Sequence, residues 1–285
     1  MKKYIKSSQF VKVLSLVIGL IIVHSCTDNF TEYNTDKTQM MSVGEKQLAG
    51  LFSRSQMEGC TWLSTDNYSR MSSTLANHFC GYTACGIYAQ EENVMNVGWQ
   101  NTGFNKIYSS AYPALQSIFD VSANGVNDAA YNVGLIWKVF LLHRMTDLWG
   151  PVPYTYAGSG KDVIPYESQK DVYYLMFTDL TNAVNALNGL LAKNSSLNVF
   201  GAGDMIYNGS VSQWVKFANS LRLRLAMRIS NIDPTKAQAE AEAAAKGSVL
   251  ELNSDDAYVP VNKWSSGGNR SEEHTSELQS LRHLV

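Results

Sequence analysis

Residues 203–230 read GDMIYNGSVSQWVKFANSLRLRLAMRIS, and this stretch decides the fold class. Ser210, followed three residues later by Gln213, matches the capping-box pattern of a helix start. From there apolar residues recur at steps of three and four: Trp214, Phe217, Ala218, Leu221, Leu225 and Ile229. That period places them on one helical face. We therefore predict an amphipathic helix over residues 211–231 that buries this face against a neighbour.

The same period recurs on both sides of this stretch. It predicts helices over residues 103–121, 128–148, 171–191 and 234–246, and a further helix from a capping box at Ser42 and Glu45 to about Gln56. We expect 128–148 to pair with 171–191, and 211–231 with 234–246, as antiparallel hairpins that stack on one another. The predicted fold class is all-α, a tetratricopeptide-like helical array with long irregular loops. This prediction rests on helix lengths, because no strict repeat is present.

Residues 58–100 are the part of the chain where no helical period persists, and they are rich in aromatic residues. An aromatic ring can cover the apolar face of a sugar, while amide groups reach its hydroxyls. Long loops of this kind in compact domains are often functional. The candidate ligand-binding residues are Trp62, Asn67, Tyr82, Tyr88 and Trp99. The alternative is that these aromatic side chains pack beneath the loop.

Two other features have both a functional and a structural interpretation. Arg222, Arg224 and Arg228 could hold a phosphate or carboxylate, but we expect them to be structural anchors paired with acids such as Asp147 or Asp179. The turn at residues 149–154, WGPVPY, could be a sugar platform. We expect it instead to be a packed connector that ends a helix.

The N-terminus has the three parts of an export signal. Lys2, Lys3 and Lys6 form a positive region, an apolar run follows over residues 13–23, and Ser25-Cys26 comes next. The apolar run is shorter than the roughly 20 residues that span a bilayer, so it indicates a cleaved signal. A small residue before cysteine is typical of bacterial lipoproteins. We predict a signal peptide over residues 1–25, lipidation at Cys26 and a polar tether over residues 26–40.

The last residues continue none of the preceding pattern. Residues 270–280, RSEEHTSELQS, resemble a translated sequencing adapter, so we predict that residues 270–285 are a non-native tail. On this interpretation the natural sequence is cut off near Asn269, and residues 41–269 form a partial domain.

Composition and motifs exclude several function classes. The chain has 23 basic and 25 acidic residues and a net charge of −2, which does not suit nucleic-acid binding. His78 and His143 lie far apart in the sequence, and no hydrolase, zinc-protease or phosphate-loop pattern is present. We expect no metal, no cofactor and no catalytic activity.

Three cysteines remain beside Cys26. The spacing of Cys60, Cys80 and Cys85 matches no usual zinc site. We expect small buried thiols, with a Cys80–Cys85 bridge as the open alternative.

Three segments together resemble one family, the SusD/RagB-like proteins. They are WKVFLLHRMTDLWGPVPY at 137–154, the helix at 171–187, and residues 203–230 with the order Gly-Asp, Tyr-x-Gly, Trp-x-x-Phe-Ala-Asn-Ser-Leu-x-x-Arg. The chain departs from the family pattern at Trp149, where Phe is commoner, and at Asn208, where an acid is commoner.

The resemblance implies a function that the residues alone do not give. SusD-like proteins are lipoproteins of the outer membrane of Bacteroidota, exposed at the cell surface, with a tetratricopeptide-containing α-helical fold. They act with a SusC-like TonB-dependent transporter and capture nutrients, usually glycans and sometimes peptides. The resemblance therefore implies a lipid-anchored glycan-binding protein that delivers its ligand to such a transporter.

Three alternatives remain open. The first is a peptide-binding RagB-like lipoprotein in the same role. The second is a surface glycoside hydrolase, which would need two carboxylates roughly 5–10 Å apart across a cleft. The third is a scaffold that contacts only its transporter.

Overall fold

The computed structural model describes residues 43–61 and 97–259. Its α-helices are α1 (Leu48–Thr61), α2 (Val97–Lys106), α3 (Tyr112–Ser122), α4 (Asp128–Trp149), α5 (Gln169–Leu191), α6 (Val211–Arg228) and α7 (Pro234–Ala245). Single 3-10 turns occur at Glu45–Gln47, Gly201–Gly203 and Asn253–Asp255, and a π turn, Ile107–Ala111, joins α2 to α3. Within the described ranges, β-structure is limited to two isolated bridges, Val152 with Glu167 and Asn198 with Ser210. The predicted all-α class is confirmed.

Local sequence explains where α4, α5 and α7 begin. At α4 the Asn127 side chain accepts from the backbone N–H of Ala130 at 3.0 Å. At α7 the Asp233 side chain accepts from the N–H of Lys236 at 3.0 Å, and Pro234 follows at the first helical position. These two starts are the predicted ones. The helix predicted from Asp171 begins earlier, because Ser168 caps α5.

The capping box predicted at Ser210 is wrong in its bonds, although α6 does begin there. The Ser210 side chain does not cap the helix, and its hydroxyl contacts that of Ser212. Gln213 instead donates to Asp255 Oδ1 at 3.2 Å. A tertiary partner thus takes the side chain that the local motif would have used.

Consecutive long helices run antiparallel. Lys138 and Asp147 of α4 contact Asp179 and Tyr173 of α5, so the end of one helix meets the start of the next. Tyr173 also accepts from Arg228 at the end of α6. In the next pair, Arg222 of α6 contacts Glu240 of α7. Both predicted hairpins are therefore present, and α6 packs between α5 and α7.

The core centres on α4, which is buried around most of its circumference. The Trp137 ring lies edge-on to Trp214 of α6 at 6.3 Å and to Phe52 of α1 at 6.4 Å. Each such fully buried aromatic side chain contributes roughly 1.5–3 kcal/mol of apolar burial. These rings join α1 to helices that lie more than eighty residues later in the chain.

The Gly-Asp and Tyr-x-Gly motifs form the connection that precedes α6. A Cβ at Gly203 would lie 2.5 Å from the carbonyl oxygen of Ala49, so only glycine lets this turn approach α1. Gly209 has φ +83°, a left-handed conformation that favours glycine. Between them the Tyr207 hydroxyl donates to the backbone oxygen of Asp255 at 3.0 Å.

Both ends of the stretch predicted to be irregular are helical. Helix α1 continues past the predicted end at Gln56 to Thr61. In this added part Gly59 packs directly on α4, since a Cβ there would lie 2.5 Å from Leu141. Helix α2 begins at Val97. Pro113 lies in the first turn of α3, directly after the π turn, as its missing N–H leads us to expect.

Candidate functional site

The predicted ligand-binding residues fall mostly outside the described ranges. Trp62, Asn67, Tyr82 and Tyr88 lie in the segment that joins α1 to α2. Trp99 lies in the first turn of α2. Their grouping into one site stays a prediction.

The two helices that flank this segment are held together. Glu58 of α1 and Lys106 of α2 form an ion pair with Nζ and Oε2 3.0 Å apart. Helix α1 also packs on the π turn that follows α2 and on α3. Residues 62–96 thus begin and end on helices that belong to the same packed unit.

Four aromatic residues, Phe104, Tyr108, Trp149 and Tyr166, form a cluster beside α2 that we call the α2 aromatic cluster. The Phe104 ring stands edge-on to Trp149 at 6.0 Å and stacks with Tyr166 at 6.4 Å and 9°. Tyr108 is 4.6 Å from Phe104 and donates to the Pro153 carbonyl oxygen at 2.8 Å. Burial raises the pKa of the Tyr108 hydroxyl, which stays a neutral donor. Tyr166 is 60% exposed, so the cluster presents one open ring to solvent.

The turn at residues 149–154 is mainly a packed connector, as expected. Val152 and Tyr154 are fully buried, and Val152 pairs with Glu167 through two backbone hydrogen bonds. Glu167 also accepts from the backbone N–H of Tyr154 at 2.6 Å. Trp149 is half-buried against Phe104. The turn therefore fixes the α2 aromatic cluster, and Tyr166, which the sequence analysis did not single out, supplies its exposed ring.

The arginines of α6 are structural anchors where their partners are described. Arg228 lies 3.0 Å from Asp147, which confirms one predicted acid. Arg222 pairs instead with buried Glu240, its Nε 2.6 Å from Oε2. Asp179, the other predicted partner, is taken by Lys138 and by the Tyr154 hydroxyl. Arg222 pairs with Glu240 and not with a predicted acid, because Glu240 is the carboxylate that α7 places against α6.

Two cavities lie among the described residues. One, of about 810 Å³, is an open groove between the 202–213 segment and residues 253–258. The other, of about 330 Å³, lies among adjacent ends of α4, α5, α6 and α7, and we call it the helix-end pocket. Its walls include Tyr173, Tyr174 and Arg228. No sequence signal identifies this pocket, because its residues come from four separate helix ends with no shared motif.

Two groups of types that often perform catalysis, His143 and Cys60, are buried here. His143 is 1% exposed and donates from Nδ1 to the Phe140 carbonyl oxygen at 2.7 Å. Burial, followed by nearby Arg144 and Arg224, lowers the pKa of its imidazole well below the ordinary value. Burial also raises the pKa of the free Cys60 thiol to about 12. Neither group is placed to transfer a proton to a substrate or to act as a nucleophile at neutral pH.

Two absences apply to residues 43–61 and 97–259. Those residues contain no group of three or more His, Cys, Asp or Glu placed to hold a metal ion. Among the same residues, no helix combines the length and apolar character that crossing a membrane requires.

Comparison with known families decides what these helices belong to. A sequence profile of the family described as "SusD-like: Susd and RagB outer membrane lipoprotein" matches residues 28–277. This chain belongs to the SusD-like family. The predicted family and its tetratricopeptide-like helical fold are thereby confirmed. Within the SusD-like signature at 203–230, Asp204 accepts hydrogen bonds from Gln56 of α1 and from Trp214 of α6, and so joins the two helices.

Solved SusD-like structures show the same fold. A chitin-binding protein is 30% identical over 74% of this chain, with a TM-score of 0.65. A chitin-binding SusD homologue from Flavobacterium johnsoniae is 33% identical over 75% of the chain, with a TM-score of 0.52. A SusD homologue from Bacteroides uniformis is 29% identical over 78%, with a TM-score of 0.57. None of the curated proteins compared with the chain matches it.

The chain spans less than half the length of these SusD-like structures. It covers 45% of the chitin-binding protein, 42% of the Flavobacterium johnsoniae homologue and 45% of the Bacteroides uniformis homologue.

Proposed function

We propose that this SusD-like protein is a non-catalytic, lipid-anchored glycan receptor of the outer-membrane surface. The observation that carries the proposal is the similarity, at 30% and 33% identity over three quarters of the chain, to two proteins described as chitin-binding. The family description, an outer membrane lipoprotein, supports the proposed localisation.

The anchor is the lipidated Cys26, left after removal of residues 1–25, with residues 26–40 as the tether. The non-native origin of residues 270–285 is likewise a proposal. Replacing Cys26 with Ser in cells should move the protein from the membrane fraction to the soluble fraction. If the C26S variant stayed in the membrane fraction until detergent released it, lipid anchoring at this residue would be contradicted.

The glycan contacts are proposed to come from the segment between α1 and α2, together with the exposed ring of the α2 aromatic cluster. Trp62, Tyr82, Tyr88 and Trp99 supply ring faces and Asn67 supplies an amide. Tyr166 adds an open ring on an element fixed by Phe104 and Trp149. Rings held by a packed scaffold lose little side-chain entropy when a sugar stacks on them.

Retention on polysaccharides tests this function. The purified protein should be depleted from solution by insoluble chitin or by another polysaccharide in a panel, and its release by soluble oligosaccharide should be saturable. Replacing both Trp62 and Trp99 with Ala should weaken retention roughly 5- to 150-fold, because each aromatic contact contributes roughly 0.5–1.5 kcal/mol and the two together about 1–3 kcal/mol. Trp137, which is buried, is not a suitable control, so the exposed Leu252→Ala variant serves as the match.

Two results would overturn the glycan proposal. Retention by peptide mixtures alone would identify the peptide-binding alternative. Release of reducing sugar by the purified protein would identify a hydrolase. Retention that is unchanged in the W62A/W99A variant would place the site elsewhere.

The proposed partner is a SusC-like TonB-dependent transporter to which the bound glycan is passed. Co-purification of an affinity-tagged protein from its own outer membrane should yield such a transporter in stoichiometric amount. Its absence from a preparation that still binds glycan would contradict delivery without contradicting binding.

A further inference from the structure

The helix-end pocket is built from the ends of four helices. Asp147 lies at the end of α4, Lys170 and Tyr174 lie in the first turns of α5, and Arg228 ends α6. Asp233, the N-cap of α7, closes the ring. The cavity of about 330 Å³ falls within the size range of small-ligand sites, near the lower limit.

The pocket has apolar walls that one sugar ring can contact. Tyr173 and Ile229 are buried in its floor, and the Tyr174 ring is half-buried. Ile232 also lines the pocket and is 84% exposed. Apolar surface of this kind covers the C–H faces of a sugar.

The polar groups of the pocket are oriented by contacts with one another. Tyr173 donates to Asp147 at 2.6 Å, and Tyr174 donates to Asp233. Arg228 contacts both Asp147 and Tyr173 through Nε, which leaves its terminal amino groups without a hydrogen bond among the described residues. Lys170 forms no ion pair within the described ranges, and its Nζ lies 5.6 Å from the Tyr174 ring centroid. The pocket therefore offers free donors beside fixed acceptors.

The charge balance of the pocket disfavours a ligand that carries a net charge. Two cations, Lys170 and Arg228, face two carboxylates, Asp147 and Asp233, so the lining is neutral overall. An anionic ligand would meet both carboxylates, and a cationic ligand would meet both cations. An uncharged ring whose hydroxyls both donate and accept satisfies every group.

We propose that the helix-end pocket, whose lining includes none of residues 62–99, binds one uncharged sugar ring as a further subsite. The choice of a sugar rests on the proposed function, whereas the location and the neutrality of the ligand rest on the pocket itself. A second subsite would raise retention on a long glycan through multivalency, because the two contacts share one chain.

Isoleucine methyl NMR tests the pocket directly, with the full chain carrying ¹³C-methyl isoleucine. The Ile232 signal is assigned by its loss in I232V. Adding N-acetylglucosamine should shift the Ile229 and Ile232 methyl signals with saturation and leave the buried Ile136 signal unmoved. K170M should weaken this binding about tenfold, the loss expected for one charge-assisted hydrogen bond. K246M, which removes an exposed lysine outside the pocket, is the matched control and should bind as wild type does.

The wall is tested by Y174A, read at the Ile229 signal, which should also bind about tenfold more weakly. If Y174A does not fold, K170M keeps the proposal testable, because Lys170 is exposed and supports no core contact. Absence of any shift with N-acetylglucosamine overturns the proposal, as does a shift with glucuronate alone or equal binding by K170M and wild type. The titration reads two methyl signals and does not depend on retention by chitin. A failed titration would therefore not contradict chitin retention, and failed retention would not prevent the titration from being interpreted.

Discussion

Asp204 is the residue whose replacement tests most sharply how this fold is held together. Its carboxylate is 2% exposed and accepts four hydrogen bonds. Oδ1 accepts from Gln56 Nε2 at 2.8 Å and from the Ile206 N–H at 3.1 Å. Oδ2 accepts from the Gly209 N–H at 3.0 Å and from Trp214 Nε1 at 2.7 Å. One side chain thus joins α1, the turn before α6 and α6 itself.

Asp204→Asn changes few atoms but replaces one of the two accepting oxygens with an NH₂ group, which can only donate. Whichever way the amide is oriented, its NH₂ faces two donors that previously met a carboxylate oxygen. Each lost bond to a charged group costs roughly 1.5–3 kcal/mol, so the two together cost about 3–6 kcal/mol. A domain of this size loses roughly 2–4 °C of Tm per kcal/mol, which predicts a decrease on the order of 10 °C.

Urea unfolding, followed by tryptophan fluorescence, measures the cost. Asp256→Asn is the matched control, because Asp256 is half-buried and its carboxylate accepts no hydrogen bond among the described residues. It should stay within about 0.5 kcal/mol of wild type. A D204N variant within about 1 kcal/mol of wild type would refute the proposed role of Asp204. A cycle with Trp214→Phe should give a coupling of roughly 1.5–3 kcal/mol for the Asp204–Trp214 bond.

Three further predictions follow from the charged groups and the thiol. R222M should lower the free energy of unfolding by roughly 3–5 kcal/mol, because it leaves Glu240 buried with one fewer partner. R228M breaks a half-exposed pair and should lower it by about 1 kcal/mol. Equal losses in urea unfolding would contradict the burial argument. The hydrogen bond from Lys216, followed by backbone N–H groups, lowers the pKa of Asp255, so its contribution is complete at neutral pH and is lost as the pH falls below about 4. D255N should flatten the acid limb of a stability–pH curve, and an unchanged limb would exclude this contribution. Cys60 should resist iodoacetamide in the folded protein and react after unfolding in urea, as peptide mass spectrometry can show; rapid labelling of the native protein would contradict its burial.

The helices were predictable because their signals are local. The stripe from Trp214 to Ile229 and the caps at Asn127 and Asp233 follow from spacing and side-chain chemistry within a few residues. The glycines of the family signature could also be recognised from the sequence. At Gly203 the backbone of α1 comes too close for a side chain, and Gly209 has a positive φ that few other residues tolerate.

The partners of polar side chains were predicted less well. Gln213 was assigned to a capping box and bonds to Asp255, and Arg222 was expected to meet Asp147 or Asp179 and meets Glu240. Both side chains have several acceptors within reach in the folded chain. The choice depends on which acid the neighbouring helix presents, a property that periodicity does not encode.

The candidate site divides along the same line. Residue types pointed to Trp62, Asn67, Tyr82, Tyr88 and Trp99, and their grouping remains a prediction. Tyr166 and the helix-end pocket had no sequence signal. Their rings and charges come from segments that only packing brings together.

By itself, the sequence determined the all-α class, the two hairpins and the SusD-like family, and it predicts a lipid anchor at Cys26. Each depends on a short-range period or motif, whose physical basis is contained in one helix or one turn. Only the tertiary structure decided that α1 extends to Thr61, that Asp204 joins three elements, and that four helix ends enclose a neutral pocket. These features depend on contacts between residues far apart in the chain, where geometry and burial select among partners that the sequence leaves equivalent.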